Sequence, residues 1–325
     1  MAEMTFMVAI RETIRQEMAS DPYLFMIGED IGPYGGEHGL SQGLWEQFGD
    51  DRVRDAPISE NAIIGCALGA AMTGCRAIAE IPFGDFIGVC MDQVFNQAAK
   101  IRYMSGGQVR VALVIRTTMG GYMGAAEQHS QSLASWFVHA PGLKVVIPST
   151  PADAAGLLRT AIRDRNPAIF FEHKGLYSTK GEVPDDPNFT IPFGQAHIVR
   201  PGNDCTVVAT SLQVSKALQA ADELAKEGIS IEVIDPRTLV PLDEETILKS
   251  VKKTNHAVIV HEEWAMAGYG AEIAALIADK TIDYLDGPIK RVGAKHVPIP
   301  FSPPMENFVL PQTSDIVAAV RETLG

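Results

Sequence analysis

Strand and helix patterns alternate in two separate blocks of this chain, and the alternation restricts the possible folds more than any other feature. In the first block, short β-branched runs alternate with longer helix patterns; the runs occupy residues 77–81, 109–117, 143–147 and 168–172, and the helix patterns 61–73, 87–103 and 151–163. In the second block, strand and helix patterns continue to alternate between residues 205 and 279. Because such alternation is typical of parallel sheets, we predict an α/β fold with two domains, each a mostly parallel sheet flanked by helices.

The alternation lapses between about residues 174 and 204, where Gly, Pro, Asp and Lys dominate, as in "GEVPDDPNFTIPFG". Such residues favour turns and loops over regular elements. The 325 residues also exceed one small domain and suit two domains of ordinary size. We therefore predict a first domain over residues 1–180, a linker over 181–202 and a second domain over 203–325.

Charge and hydropathy argue against two classes of partner. The chain has 40 acidic and 27 basic residues and no Lys/Arg cluster that could follow a phosphate backbone, so we expect no nucleic acid. No apolar run reaches the roughly 18 residues of a membrane span, and the first residues are charged without a signal-peptide apolar block. We expect a cytoplasmic protein with no membrane partner. Its four cysteines form no CxxC pair, which favours reduced thiols.

One carboxylate stands directly before a long apolar stretch. Glu60 and Asn61 are followed by small and apolar residues, with no charged side chain until Arg76. An acid in the first turn of a helix is stabilised by the helix dipole by roughly 0.3 to 1 kcal/mol, and a carboxylate at an apolar wall can also face a ligand. Both interpretations stay open. A desolvated carboxylate needs a partner that shares or donates a proton, and no nearby Lys or Arg supplies one.

Other candidate residues follow predicted strands. His129 lies in the Gly-rich loop "TTMGGYMGAAEQHSQS", where it is either a structural side chain or a proton carrier. Phe86 follows the strand that ends near residue 81, and it suits either a core or one face of a slot for a flat heterocycle. Asp164 and Asn166 end a helix, where they suit either a tight turn or the oxygen shell of a hard cation.

Self-contained catalytic motifs are missing from the chain. It contains no GxxxxGK[ST], no HExxH and no GxSxG, and "GYGAE" at residues 268–272 lacks the third glycine of a dinucleotide-binding turn. The chain by itself therefore offers no complete catalytic set.

Seven segments in order carry a family resemblance that runs from about residue 4 to the C-terminus. They are "IGED" (27–30), "RVRDAPISENAIIGCALGAA" (52–71), "DQVFNQAAKIRYMSGGQ" (92–108), "EQHSQS" (127–132), "HAPGLKVVIPSTPADAAGLL" (139–158), "IDPRTLVPLDEETI" (234–247) and "VPIPFSPPMEN" (297–307). The chain resembles the beta subunit of the thiamine-diphosphate-dependent decarboxylating component of 2-oxo acid dehydrogenase complexes, of the pyruvate and acetoin dehydrogenase type. This resemblance implies a transketolase-like pyrimidine-binding domain followed by a transketolase C-terminal domain.

The resemblance implies roles for particular residues. Glu60 matches the carboxylate that activates thiamine through a hydrogen bond to the aminopyrimidine ring, so the proton partner that the sequence lacks is the cofactor itself. Ile58 lies in the same "PISE" motif and is implied to contact the cofactor, and Phe86 matches the aromatic residue that stacks on the pyrimidine. His129 matches the histidine near the reacting end, which helps pass the acyl group to lipoamide.

The resemblance also implies ions and partners. A potassium ion is implied on five residues: Leu113, Ala161, Ile162, Asp164 and Asn166. The GDG motif and the downstream Asn that hold Mg²⁺ and diphosphate in such enzymes are absent, so an alpha subunit is implied to hold them in an α2β2 heterotetramer. The C-terminal domain is implied to serve mainly subunit contacts and docking to the dihydrolipoyl acyltransferase core with its lipoyl domains.

The sequence is compatible with several activities. Oxidative decarboxylation of a pyruvate-type 2-oxo acid is the leading one, and acetoin cleavage or oxidation of branched-chain 2-oxo acids uses the same cofactor chemistry. A noncatalytic transketolase-like scaffold and a one-chain transketolase are further alternatives. Glu127, Tyr122 and Met123 make the loop around His129 bulkier than is usual in the family, which suggests a different substrate preference.

Overall fold

The computed structural model describes all residues, 1–325, and they form two compact units. The first unit contains residues 1–119 and 136–193, and the second contains 120–135 and 194–325. Up to residue 183 the strands and helices are β1 (Ala2–Thr5), α1 (Phe6–Ser20), β2 (Leu24–Gly28), α2 (Leu44–Phe48), β3 (Val53–Asp55), α3 (Glu60–Met72), β4 (Arg76–Ile81), α4 (Ile101–Met104), β5 (Leu113–Met119), α5 (Ala134–Val138), β6 (Lys144–Val146), α6 (Pro151–Arg163), β7 (Ala168–His173) and β8 (Lys180–Val183).

Parallel strands make the sheet of the first unit, in the order β6-β7-β5-β4-β2-β3. All residues of β5 and β7 are buried, as expected for parallel strands that are covered on both faces. Beside this sheet, β1 and β8 form a separate antiparallel pair. The predicted parallel sheet of the first domain is therefore confirmed.

A buried ion cluster joins three strands of this sheet near their carboxyl ends. Arg116 of β5 is 1% exposed and pairs with Glu80 of β4 at 2.7 Å and with Glu172 of β7 at 2.6 Å. Tyr177 donates a further hydrogen bond to Glu172. Burial raises the pKa of Glu80, and Glu172 adds to that effect while Arg116 opposes it. Removing one member of such a cluster leaves an uncompensated buried charge, which typically costs about 3 to 5 kcal/mol.

Two parts of the first unit differ from the sequence predictions. Residues 87–103 were predicted to form one helix, but a 3₁₀ segment (Gly84–Cys90), a π-helical segment (Asp92–Ala98) and α4 replace it. The hydrogen bonds show why: Ala99 N–H bonds five residues back to Val94, and Lys100 N–H bonds three residues back to Gln97. The unpredicted helix α1 contains Glu17, whose buried carboxyl group pairs with Arg159 at 3.1 Å.

The second unit continues the chain with β9 (His197–Arg200), β10 (Cys205–Ala209), α7 (Leu212–Ala225), β11 (Ile231–Asp235), β12 (Thr238–Val240), α8 (Glu244–Thr254), β13 (Ala257–Trp264), α9 (Tyr269–Thr281), β14 (Lys290–Ala294), α10 (Pro303–Val309) and α11 (Thr313–Leu324). Its sheet has the order β14-β13-β10-β11-β9, in which only β9 is antiparallel to its neighbour. Valines of the central strands pack with α7 and α11 in its core. The predicted mostly parallel second sheet is confirmed.

Residues 181–202, predicted as a linker, contain the end of β8 and all of β9. The limits of the two compact units are given above, and the predicted limits of the two domains remain a prediction. Cys66 is exposed, contrary to the apolar environment that its sequence neighbours suggest, whereas Cys90 and Cys205 are buried, and all four cysteines are free thiols. Every helix of the structure is either too short or too polar to span a membrane.

Gly142 and Gly74 have nearly the same positive φ angle but differ in how closely other atoms pack around them, so their alanine variants test the packing at Gly142. Gly142 has φ +106°, and a Cβ atom there would lie 1.9 Å from the Ala99 carbonyl oxygen; Gly74 has φ +109° and open space around it. Both alanine variants are strained by about 1 to 2 kcal/mol because of the positive φ, but only Gly142→Ala also forces the backbone apart. We expect Gly142→Ala to lower the free energy of unfolding by at least about 2 kcal/mol more than Gly74→Ala, measured by urea denaturation. Equal losses would contradict this packing.

Candidate active site

Glu60 is the first residue of α3 and is 7% exposed. No protein donor forms a hydrogen bond or ion pair with its side chain. After Asn61 the rest of α3 consists of small and apolar residues, and Ile63 and Ile64 are buried in the first turn. A carboxyl group with little water and no protein partner is expected at a place where a ligand supplies the donor.

A second carboxyl group, that of Glu29, is close enough to Glu60 for the two charges to interact. It directly follows β2, and its Oε1 atom is buried without a hydrogen-bond partner. Burial raises the pKa of Glu29, and the charges of Glu60 and Asp30 raise it further. Glu29 is not among the residues predicted from the sequence, although its position directly after the apolar stretch 23–27 and within "IGED" is a usable signal.

The turn that carries Phe86 packs against α3. Phe86 is half-buried and forms an edge-to-face pair with Phe83, with ring centroids 5.8 Å apart. Cys90 of the same turn is buried; burial raises the pKa of its thiol to about 12, and the charge of Glu60 contributes in the same direction. Ile58 is 83% exposed, two residues before Glu60. The first unit therefore brings Glu60, Glu29 and the Phe86 turn to one place.

His129 belongs to the second compact unit, in a short 3₁₀ segment over Glu127–His129. We call residues 120–135 the His129 loop. Near its start, Gly121 N–H donates to Glu262 at 2.7 Å, and at its end Ser135 N–H donates to Glu263 at 2.9 Å. The imidazole itself is half-buried and has an interaction partner.

A cavity of about 360 Å³ borders the same loop within the second unit. It is lined by loop residues Glu127, Gln128 and Gln131 and by Trp264, His296 and residues 297–299. Trp264 donates its indole N–H to the Val297 carbonyl oxygen at 2.9 Å, which fixes one apolar wall. The carboxyl group of Glu127, which the sequence comparison with the family marked as unusual, therefore lies at the border of a mostly apolar space.

Lys216 and Tyr122 meet beside the loop. The Lys216 ammonium lies 3.6 Å from the centre of the Tyr122 ring, and its Nζ donates to the Pro311 carbonyl oxygen at 2.7 Å. Burial lowers the pKa of Lys216 to about 8, against the opposing charges of Glu262 and Asp315. Burial also raises the pKa of Tyr122 well above its usual range.

The five residues implied as potassium ligands lie at one corner of the first unit: Leu113, Ala161, Ile162, Asp164 and Asn166. The side chains of Arg76 and Lys144 already bind oxygen atoms of these residues. Arg76 Nη1 donates to the carbonyl oxygens of Ile162 at 2.7 Å and of Asp164 at 3.2 Å. Lys144 pairs with the Asp164 carboxylate.

The side chains of Asp164 and Asn166 also form hydrogen bonds at this corner. Asp164 also accepts from Asn166, and Arg102 donates to the Asn166 side-chain oxygen at 2.5 Å. Burial acts to raise the pKa of Asp164, but the bonds from Lys144 and Asn166 prevail and lower it. As they stand, these atoms do not fit potassium, because Arg76 already occupies two of the carbonyl oxygens. The potassium site stays a prediction.

Comparisons with known proteins agree with this geometry. Residues 2–180 match the family model "Transketolase, pyrimidine binding domain", and residues 194–316 match "Transketolase, C-terminal domain". A solved structure, "Split gene transketolase, inactive beta4 tetramer", has a TM-score of 0.79 at 21% identity and covers 99% of this chain and 98% of its own, which supports the fold. The two units thus define a protein with the pyrimidine-binding and C-terminal domains of transketolases.

Three curated relatives narrow the family. The chain is 49% identical to "Acetoin:2,6-dichlorophenolindophenol oxidoreductase subunit beta" of Bacillus subtilis, over 98% of this chain and 96% of the relative. It is 45% identical to "Pyruvate dehydrogenase E1 component subunit beta" of Rickettsia felis, over 98% of each chain, and 44% identical to "2-oxoisovalerate dehydrogenase subunit beta" of Bacillus subtilis, over 99% of each chain. The chain belongs to this family of dehydrogenase E1 beta subunits.

The residues around Glu60 fit the pyrimidine half of thiamine. The ring is flat and carries hydrogen-bond donors, and the first unit offers a buried carboxyl group without a protein donor, a second carboxyl oxygen without a partner and a half-buried phenyl ring. This agreement concerns the pyrimidine half of the cofactor.

Glu263, which binds the end of the His129 loop, has a raised pKa, so its contacts can be tested through the pH dependence of stability. Burial raises that pKa from 4.5 to about 7, against the hydrogen bonds from Ser135 and Tyr269. The folded protein therefore holds this proton more tightly than the unfolded chain. The resulting stability is present below about pH 4.5 and is lost as the pH rises to about 7.

We expect the wild-type free energy of unfolding to lose on the order of 2 kcal/mol through Glu263 between pH 5 and 8. Glu263→Gln removes this component because the amide does not titrate, so its curve is flatter by that amount. The measurement is denaturant unfolding at pH steps, with the exposed Glu245→Gln as the matched control, which keeps the wild-type slope. Parallel curves for the wild type and Glu263→Gln would rule out this titration.

Proposed function

We propose that this chain is the beta subunit of a thiamine-diphosphate-dependent 2-oxo acid dehydrogenase of the pyruvate type. The reaction is oxidative decarboxylation with transfer of the acyl group to lipoamide. The observation that carries the proposal is the buried Glu60 carboxyl group at the start of α3, which no protein donor meets. The pyruvate dehydrogenase relative, at 45% identity over nearly the whole chain, supports the same activity.

Thiamine diphosphate, when bound, supplies the carbanion chemistry that amino-acid side chains lack. Glu60 would accept a hydrogen bond from a ring nitrogen of the bound pyrimidine and so would hold a proton at that atom. The buried face of α3, which includes Ile63 and Ile64, limits the access of water, which strengthens this bond. Glu29 has a raised pKa, which disfavours a second negative charge beside Glu60. Phe86 offers an aromatic face to the ring, and Ile58 offers an apolar contact at the entrance.

His129 is proposed to act at the later stage, as a proton donor and acceptor during acyl transfer to lipoamide. An imidazole exchanges protons near neutral pH without large tuning. Its loop borders the cavity lined by Trp264 and Glu127, which places polar and apolar groups side by side for a substrate. The carboxyl group of Glu127 at that border suits the proposed difference in substrate preference.

The other half of the cofactor site is proposed to belong to an alpha subunit. That subunit would hold Mg²⁺ and the diphosphate, in an α2β2 heterotetramer that docks to a dihydrolipoyl acyltransferase core with lipoyl domains. Support comes from the absent GDG motif and from relatives that are themselves named as beta subunits. Potassium at the Asp164 corner, with Arg76 displaced, and a cytoplasmic location remain predictions from the sequence.

Acetoin cleavage is a second candidate activity. It is favoured by the 49% identity to the Bacillus subtilis relative and the 47% identity to the relative from Cupriavidus necator, both named for acetoin. The test is the rate of the assembled α/β complex with pyruvate, acetoin and 3-methyl-2-oxobutanoate, with 2,6-dichlorophenolindophenol as electron acceptor. The substrate with the highest kcat/KM identifies the activity, and a complex that turns over none of the three would contradict both proposals.

Glu60→Gln tests the catalytic carboxylate directly. Because the amide cannot hold the proton at the pyrimidine, we expect turnover of the α/β complex to fall about 100- to 10,000-fold, with assembly and folding unchanged. The control is Glu245→Gln, the same chemical change on the exposed side of α8, which keeps full turnover. Size-exclusion chromatography checks assembly. Unchanged turnover in Glu60→Gln would instead indicate a noncatalytic scaffold.

A further inference from the structure

Three buried acidic residues of the second unit contact the His129 loop near its two ends. Glu262 and Glu263 lie in β13 and are 7% and 4% exposed, and Glu306 lies in α10 and is 2% exposed. Burying three carboxyl groups is costly unless each accepts good hydrogen bonds. Each of them accepts a hydrogen bond from a backbone N–H group of the loop.

The start of the loop is held by two of these residues. Gly121 N–H donates to Glu262 Oε1 at 2.7 Å, and Gly124 N–H donates to Glu306 Oε2 at 3.1 Å. The loop backbone packs closely here, since a Cβ atom on Gly121 would lie 2.6 Å from Leu310 and 3.1 Å from Glu306. These contacts restrain the loop backbone at Gly121 and Gly124.

The end of the loop is held by the third residue. Ser135 N–H donates to Glu263 Oε1 at 2.9 Å, and the Ser135 hydroxyl donates to the other carboxyl oxygen. Glu263 also accepts a longer bond from Tyr269 N–H, at 3.4 Å. Both carboxyl oxygens of Glu263 thus accept hydrogen bonds from Ser135, the last residue of the loop.

An irregularity in β13 explains how two adjacent residues reach the same loop. Neighbouring side chains of a regular strand point to opposite faces of the sheet. The pairing of β13 with β14 shifts register between Val260 and Trp264, and Glu262 and Glu263 lie inside this shift. Such bulges reorient side chains and are frequent next to active sites.

We propose that Glu262, Glu263 and Glu306 are positioning residues that fix the His129 loop, and with it His129, for acyl transfer. The inference rests on the proposed role of His129. Because a buried carboxyl group needs well-formed hydrogen bonds, these contacts restrain the loop more than the solvent-exposed contacts of an ordinary surface loop do. The C-terminal domain then has a direct part in the reaction, beyond the subunit contacts and docking that the family resemblance implies.

The experiment uses the assembled α/β complex with Glu262→Ala and Glu306→Ala. Hydrogen exchange of the peptide 120–135, read by mass spectrometry, measures the mobility of the loop. Two rates measure function: lipoamide-dependent acyl transfer, and turnover with 2,6-dichlorophenolindophenol, which accepts electrons without acyl transfer. Glu262→Gln and Glu306→Gln keep one acceptor oxygen, remain informative if an alanine variant misfolds and test rescue. Glu245→Ala is the surface control.

We expect exchange of the 120–135 peptide to rise at least tenfold in both alanine variants. The lipoamide-dependent rate falls at least tenfold, the dye-dependent rate changes less than threefold, and the glutamine variants recover most of the loss. Unchanged exchange overturns the proposal. An equal fall of both rates also overturns it, because a merely structural role lowers both.

His129→Ala, measured in parallel, separates the two proposals. A normal lipoamide-dependent rate in His129→Ala refutes the role of His129 and, with it, this inference. A lost rate in His129→Ala together with a normal rate in Glu262→Ala and Glu306→Ala leaves the proposed function intact and refutes only the positioning role.

Discussion

The Arg116 ion cluster is the interaction on which the first unit most depends. It joins the middle of β5 to the next-to-last residues of β4 and β7, at 2.6 to 2.7 Å from guanidinium to carboxyl oxygens. The Phe86 turn follows β4, and β5 leads into the His129 loop. Because a buried guanidinium between two acids tolerates little displacement, the cluster holds the strand ends in one register. The segments that carry candidate site residues therefore start from fixed points.

Buried carboxyl groups in this protein fall into two kinds. Those of Glu172 and Glu262 accept well-formed hydrogen bonds from protein donors, and they stabilise one arrangement of the chain. The side chain of Glu60 is buried and accepts no hydrogen bond from a protein donor, and the half-buried Glu29 has one buried carboxyl oxygen without a hydrogen-bond partner. The first kind orders strands and loops, and the second kind remains available for a ligand. This difference separates structural acids from candidate catalytic acids in the same fold.

Local patterns predicted much of the architecture. The helix over Pro151–Arg163 has the predicted limits because Thr150 caps it and Pro151 starts it. Helix α1 was missed because its buried Glu17 looks like a surface residue until the distant Arg159 neutralises it. At the candidate site, Glu60 stood out as a charge before an apolar stretch. Glu29 did not, because its burial depends on neighbours that are remote in sequence.

By itself, the sequence determined the alternation of strands and helices, the family, and the candidate residues that are proposed to act in a thiamine-dependent reaction. Those properties depend on residue type and short spacing. The tertiary structure alone decided that the His129 loop joins the C-terminal unit, because the bond from Gly121 to Glu262 links residues 141 positions apart. It also decided that cationic side chains meet the Asp164 corner. Contacts at such separations arise from chain folding, and no local pattern encodes them.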